Sequence, residues 1–128
     1  MEKRCITAPN GVPAVGPYSH AVAAGGLLYV SGQGPLAKDG VYSPASFAEE
    51  SHLTLKNLKA ILDDAGSGLE HVVKCTVYLT NMDQFAEFNG IYKEYFTANP
   101  PARTCIQAAR LPKDFKVEVD AIAVFPKE

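Results

Sequence analysis

Residues 117–125 read Val-Glu-Val-Asp-Ala-Ile-Ala-Val-Phe. Successive side chains of a strand point to opposite faces, so Val117, Val119, Ala121, Ala123 and Phe125 form one wholly apolar side. The other side begins with Glu118 and Asp120 and ends with Ile122 and Val124. Such a strand belongs inside a sheet with one face closed over by other elements and the second face still half apolar. Residues 27–30 are apolar on both sides too, so more than one strand needs cover on both faces.

Local signals supply the neighbours of that strand. A short strand is expected over residues 4–7, followed by a Pro/Gly-rich loop over 9–17. Residues 20–24 and 27–31 read as two strands joined at Gly25-Gly26, a pair suited to the positive φ values of a tight hairpin. Ser46-Phe47-Ala48-Glu49 is a capping box. The helix it opens carries Ala48, Leu55, Leu58, Leu62 and Ala65 near helical period, with Gly66 at the left-handed exit position. Residues 71–79 alternate as a strand, with Val73, Cys75, Val77 and Leu79 on the apolar side. A second helix is expected over 83–96, with Phe85, Phe88, Tyr92, Tyr95 and Phe96 as its stripe, ending at Asn99-Pro100-Pro101. Strands over 103–108 and 115–125 close the chain. The order β-β-β-α-β-α-β-β predicts one α+β domain over residues 1–128, a mixed β-sheet with two helices packed on one face. Two helices cover only one face, so the other is expected to be buried against copies of the chain, in a homo-oligomer whose number the pattern does not set.

Composition removes several classes of function. The 128 residues are one domain's worth, with 47% hydrophobic and 20% charged residues and a formal net charge of −2. That balance argues against nucleic-acid binding. The nearest basic group is Arg103, Arg110, Lys113 and Lys116, of which the last three read as a solvated turn. Cys5, Cys75 and Cys105 are odd in number and far apart, so neither a disulfide framework nor a zinc ribbon is suggested. His20, His52 and His71 have no ligand spacing, and no nucleotide, flavin or serine-hydrolase motif occurs. The expectation is a chain with no metal and no cofactor. It shows neither a signal-peptide core nor a membrane-length apolar run, so the expected address is the cytoplasm, with the mitochondrial matrix as alternative.

Candidate chemistry is sparse. Arg103 opens an apolar strand and offers the planar fork that binds carboxylates; the other reading is an ion pair at a strand end. Glu118 lies between valines, where burial raises a carboxyl pKa and suits acid–base work; alternatively it faces solvent or pairs with Lys116 or Arg110. Cys105 shares a strand face with Arg103 and reads as a small buried hydrophobe in preference to a nucleophile. Asn89 sits on the apolar stripe of the second helix, so its amide meets a buried partner or faces a cleft. Tyr18 reads as loop packing with a polar tip. Ser31-Gly32 ends a buried strand with a hydroxyl and an unobstructed backbone N–H able to contact a ligand.

Taken together, several segments carry a resemblance. They are Gly16-Pro17-Tyr18-Ser19, Val30-Ser31-Gly32-Gln33, Asn57-Leu58, and Phe85, Asn89, Tyr92 and Phe96 of the second helix. The C-terminal part adds Pro101-Ala102-Arg103-Thr104-Cys105, Ala109-Arg110-Leu111-Pro112-Lys113-Asp114 and Val117-Glu118-Val119-Asp120-Ala121-Ile122-Ala123. Over nearly its whole length the chain resembles the Rid family, the YjgF-like reactive intermediate deaminases, and its RidA branch in particular. The resemblance implies a chorismate-mutase-like fold and a homotrimer with clefts between subunits. It also implies hydrolysis of 2-imino acids and their enamine tautomers, such as 2-aminoacrylate and 2-iminobutanoate, to 2-oxo acids and ammonia. Arg103 would anchor the substrate carboxylate and Glu118 would handle the water. Tyr18, Ser31, Gly32, Asn89 and Cys105 would line the same pocket. Glu50 departs from the glutamine many members carry, and is expected to alter the charge of the site's rim. Other members are described as translation inhibitors or ribonucleases. A non-catalytic metabolite binder and a chaperone-like protein are the remaining alternatives on the same trimer, but a holdase needs neither Arg103 nor Glu118.

Overall fold

A computed structural model of the chain describes residues 2–125; Met1 and residues 126–128, the ends of the expected domain, lie outside the described residues. Six strands form one sheet: β1 (Arg4–Ile6), β2 (Ala21–Ala24), β3 (Leu27–Gln33), β4 (Val72–Leu79), β5 (Ala102–Gln107) and β6 (Val117–Val124). Two helices, α1 (Phe47–Asp64) and α2 (Phe85–Tyr92), separate β3 from β4 and β4 from β5. The sheet order is β1-β2-β3-β6-β4-β5. Only β4 and β5 pair in parallel, joined through α2 as a parallel pair requires. The α+β fold with both helices on one face is therefore the one expected.

Each local signal is met with a reason in the backbone. Gly25 and Gly26 have φ of 59° and 80°, the positive pair of the tight hairpin. Ser46 accepts from the Glu49 N–H, and the Glu49 carboxylate accepts from the Ser46 N–H, closing the capping box. Gly66, at φ 84°, leads the chain out of α1. The helix buries Leu55, Leu58, Ile61 and Leu62 against Val117, Val119, Ala121 and Ala123 of β6 in one core. On the other face Tyr29 and Val124 stay 44% and 39% exposed in the single chain, beside partly buried Val22 and Ile122.

Three expectations need adjustment. The apolar side of β4 starts at Val72, not Val73: Val72 pairs with Ala123 and Lys74 with Ile122, so Val73 is the extra residue of a bulge and points outward. The second helix is shorter than residues 83–96. A 3₁₀ turn (Met82–Gln84) capped by the Asn81 side chain precedes it, and Tyr95 N–H bonding back to the Tyr92 carbonyl tightens its exit. Finally, Glu50 is no rim residue. It is 1% exposed, and its carboxylate accepts from the Tyr42 hydroxyl (2.8 Å), the Ala45 N–H (3.1 Å), the Lys116 N–H (3.0 Å) and Lys116 Nζ (3.0 Å).

The Glu50 cluster ties the start of α1 to the loop that enters β6. Burial raises the carboxyl's pKa, but the four hydrogen bonds outweigh it and the net shift is downward. Burial, and after it the same carboxylate, pushes the Tyr42 hydroxyl up to about 12. A folded-state pKa below the ordinary value of 4.5 means that Glu50 stabilises the fold fully above that pH and loses the contribution as pH falls through the lower value. Glu50→Gln is accordingly expected to cost about 2 kcal/mol at pH 7, because an amide cannot accept from every one of these donors. The difference from wild type should shrink on acidification towards pH 3, read by urea unfolding at each pH; a pH-independent difference would contradict the assignment.

Candidate functional site

Within β3 and β6 the pairing slips: Val30 faces Ala121 but Gln33 faces Val119, so β3 holds one residue too many. The bulge falls at Ser31-Gly32, and bulges re-aim side chains beside active sites. Ser31 Oγ donates to the Ser19 carbonyl (2.6 Å), tying the bulge to the loop before β2. Gly32 has a definite reason to be glycine: a Cβ there would overlap the Glu118 carboxylate, whose Cδ lies 3.0 Å from that position. Next to them opens a cleft of about 370 Å³ lined by Tyr18, Ser31, Gly32 and Glu118 on its polar side and by Val12, Val15, Leu36 and Phe115 on its apolar side. The Tyr18 hydroxyl accepts from the Val15 N–H (3.2 Å), so its tip staples its own loop, as expected, while its ring faces the cleft.

Glu118 is partly buried, and among the described residues it accepts no hydrogen bond and joins no ion pair. The partners considered from the sequence are engaged elsewhere: Lys116 on Glu50, Arg110 on Asp114 (2.8 Å). Burial, with a smaller push from Asp120, raises its pKa above the usual carboxylate range. Asp120 is satisfied differently, accepting from the Tyr78 hydroxyl at 3.0 Å.

Two other residues shape this cleft without having been singled out. His20 accepts from the Ala8 N–H at Nδ1 (2.8 Å), so its proton belongs on Nε2, which donates to the Val12 carbonyl (2.7 Å). It pins the N-terminal loop as a buried structural histidine. Lys113, read as part of a solvated turn, lines the cleft from a left-handed backbone (φ 54°), as does its neighbour Pro112. Nothing in the local pattern marks Lys113; only the turn geometry of Pro112–Asp114 aims it.

Arg103 lies elsewhere. Parallel register pairs Arg103 with Cys75 and Cys105 with Val77, both buried on the helix side of the sheet. Glu118 pairs with Tyr78 on the opposite side. Within one chain, then, Arg103 and Cys105 share a face and Glu118 has the other, with β4 between them. Arg103 Cζ sits 4.8 Å from the Tyr92 ring centre and 5.5 Å from that of Phe85. Among the described residues it has no carboxylate partner and donates no hydrogen bond. Cys105 is a poor candidate nucleophile: burial pushes its thiol up, and the Arg103 charge only partly offsets this. Asn89, one turn from both Phe85 and Tyr92 on the same helix face, keeps a buried Oδ1 without a partner. The seven candidate residues thus divide into a cleft group (Tyr18, Ser31, Gly32, Glu118) and an edge group (Arg103, Cys105, Asn89).

Among the described residues no cluster of three or more His, Cys, Asp and Glu is placed to hold a metal ion, and no helix is long and apolar enough to cross a membrane.

Comparison with known proteins follows the same outline. A family model described as endoribonuclease L-PSP matches residues 8–125. A RutC family protein of Pyrococcus horikoshii is 42% identical over 94% of this chain and 97% of its own. The 2-iminobutanoate/2-iminopropanoate deaminase of Escherichia coli is 40% identical over 94% and 97%. The crystal structure of E. coli TdcF with bound serine superposes with a TM-score of 0.89 at 39% identity, covering 94% of this chain and 98% of that one. The family model spans most of the chain and relatives of about 40% identity cover nearly all of it, so the chain belongs to the YjgF/Rid family, the family of the endoribonuclease L-PSP model.

Proposed function

We propose that the protein hydrolyses 2-imino acids and their enamine tautomers, 2-aminoacrylate and 2-iminobutanoate among them, to 2-oxo acids and ammonia. The observation that carries this reading is a partly buried cation, Arg103, and a partly buried carboxylate, Glu118, each with no hydrogen-bond or ion-pair partner for its side chain among the described residues. Buried charges are ordinarily paired, so two that are not are available to a ligand. The relative named as a 2-iminobutanoate/2-iminopropanoate deaminase and the relative crystallised with serine support a substrate with a carboxylate beside nitrogen-bearing carbon.

The chemistry asks little of the site. An iminium carbon is already electrophilic, so water attacks without a metal. Arg103 holds the carboxylate through its fork and fixes the carbon's position, which replaces a bimolecular encounter by an oriented one. Glu118 takes a proton from water as the oxygen bonds to C2 and the C=N π electrons move to nitrogen. The proton then passes to the amine; as the C–N bond breaks, the hydroxyl oxygen re-forms the carbonyl and gives its proton to Glu118, which passes it to the departing ammonia. One iminium and one water give one 2-oxo acid and one ammonium. Ser31, Tyr18 and Asn89 are the polar groups available to the imine nitrogen.

Arg103 and Glu118 lie on opposite faces of the sheet, so a shared substrate calls for two copies of the chain. We place the complete site in a cleft between protomers of a homotrimer, one contributing its Arg103 edge and the next its Glu118 cleft. The half-apolar face with Tyr29, Ile122 and Val124 supports this association. The family model's endoribonuclease description points to RNA instead, but the net charge of −2 and a carboxylate in the cleft work against a polyanion.

The test generates 2-iminobutanoate in situ with an amino-acid dehydratase and follows 2-oxobutanoate. Wild type is expected to accelerate release and Arg103→Ala to lose about 10³-fold in kcat/KM; equal rates with and without wild type reject the deaminase in favour of a metabolite-binding or chaperone-like role. In Glu118→Gln the rate should fall roughly 10²-fold or more. Because the Glu118 pKa is raised, wild-type activity should decline on the acid side at a pH above the usual carboxylate range, and that limb should vanish in Glu118→Gln. Gly32→Ala, which forces the carboxylate aside, should lower kcat while urea unfolding stays close to wild type.

A further inference from the structure

Phe85 and Tyr92 are seven residues apart on α2, two helical turns or about 10.5 Å. Their rings therefore lie on one side of the helix with a slot between them, and the Arg103 guanidinium occupies it. The lower ring is held in place. Tyr92 is buried, stacks on Phe96 (centroids 4.5 Å apart, planes 29° apart) and packs against Phe88 at 5.7 Å. Phe88 in turn meets Phe47 of α1 edge-on at 6.4 Å. An aromatic column thus runs from the first turn of α1 to the guanidinium. The upper ring, Phe85, is 39% exposed and closes the slot from outside.

We propose that Tyr92, with Phe85 above it, is the positioning residue for Arg103, setting the plane of the guanidinium by stacking while leaving its N–H donors free for a ligand carboxylate. The inference rests on the reading of Arg103 as carboxylate anchor. A carboxylate partner would fix the arginine as firmly, but it would occupy the fork and cancel the charge. Aromatic faces attract the cation through their quadrupole and use no N–H. The Tyr92 ring is what matters here. Its hydroxyl is buried without a partner of good geometry, the neighbouring Cys75 thiol included, so Tyr92→Phe keeps the stack and removes only an unsatisfied group.

Arginine-labelled protein gives a readout independent of catalysis. The Arg103 side-chain N–H signal, assigned with Arg103→Lys, should be shifted upfield by the two ring currents in wild type and in Tyr92→Phe. It should move towards the ordinary arginine position in Tyr92→Leu and in Phe85→Leu. In steady-state kinetics on 2-iminobutanoate, both leucine variants should raise KM about tenfold with kcat within about threefold of wild type, and Tyr92→Phe should recover the wild-type KM. Tyr92→Leu removes a core ring and can unfold the chain; Phe85→Leu, at a half-exposed site, keeps the test decisive. An Arg103 signal unmoved in Phe85→Leu, or an unmoved KM in that variant, overturns the proposal. If wild type shows no imine hydrolysis, the proposed reaction is what has failed. Titration with 2-oxobutanoate then decides about the stack, a roughly tenfold weaker Kd in Phe85→Leu supporting it and an equal Kd rejecting it.

Discussion

Strand β6 runs through the middle of the sheet between β3 and β4, and its alternation divides the protein into two unlike halves. Val117, Val119, Ala121 and Ala123 are almost fully buried beneath α1, and burying a valine side chain contributes about 1.5–3 kcal/mol. The same alternation sends Glu118, Asp120, Ile122 and Val124 the other way. A one-residue slip of β6 would put carboxylates under the helix and valines outside, so the core specifies the register. Glu118 is therefore held on the open face by hydrophobic forces acting on its neighbours. Its unpaired state is tolerated because the fold's stability resides on the other side of the strand.

Around that strand, buried hydrogen-bonded polar groups hold the loops that wall the cleft. Glu50 joins the start of α1 to Tyr42 and to Lys116, just before β6. Asn57 donates from α1 to the carbonyls of Gly34 and Leu36 at 2.9 Å each, fixing the chain after β3. His20 bridges Ala8 and Val12 on the N-terminal side. Each is buried and satisfied, which makes them rigid supports. Glu118 and the Arg103 guanidinium are the contrast: charged groups of the two candidate half-sites with no hydrogen-bond or ion-pair partner among the described residues.

Much of the fold was legible because its signals are local. The Ser46–Glu49 capping box, the Gly25-Gly26 hairpin and the exit at Gly66 depend on residues within a turn of one another, so chemistry at each position is enough to read them. The alternation of β6 was legible for the same reason, and with it the need for cover on the second face. Val73 misled because a bulge depends on the partner strand: only pairing with Ala123 and Ile122 shows that β4 carries an extra residue. Glu50 misled because its four donors come from positions 42, 45 and 116, and a helix's first turn gives no hint of them.

Residue identities by themselves determined the two chemistries available, a guanidinium fork at position 103 and a carboxyl between valines at 118, since these are properties of side chains and immediate neighbours. They also determined the faces of each element, because periodicity is set by backbone geometry. Which faces come together was decided only by tertiary structure. Parallel pairing of β5 with β4 put Arg103 on the helix side, between two rings of α2, while antiparallel pairing of β6 with β4 put Glu118 on the far side, against Gly32. Strand register arises from contacts between residues tens of positions apart, and no local pattern encodes it.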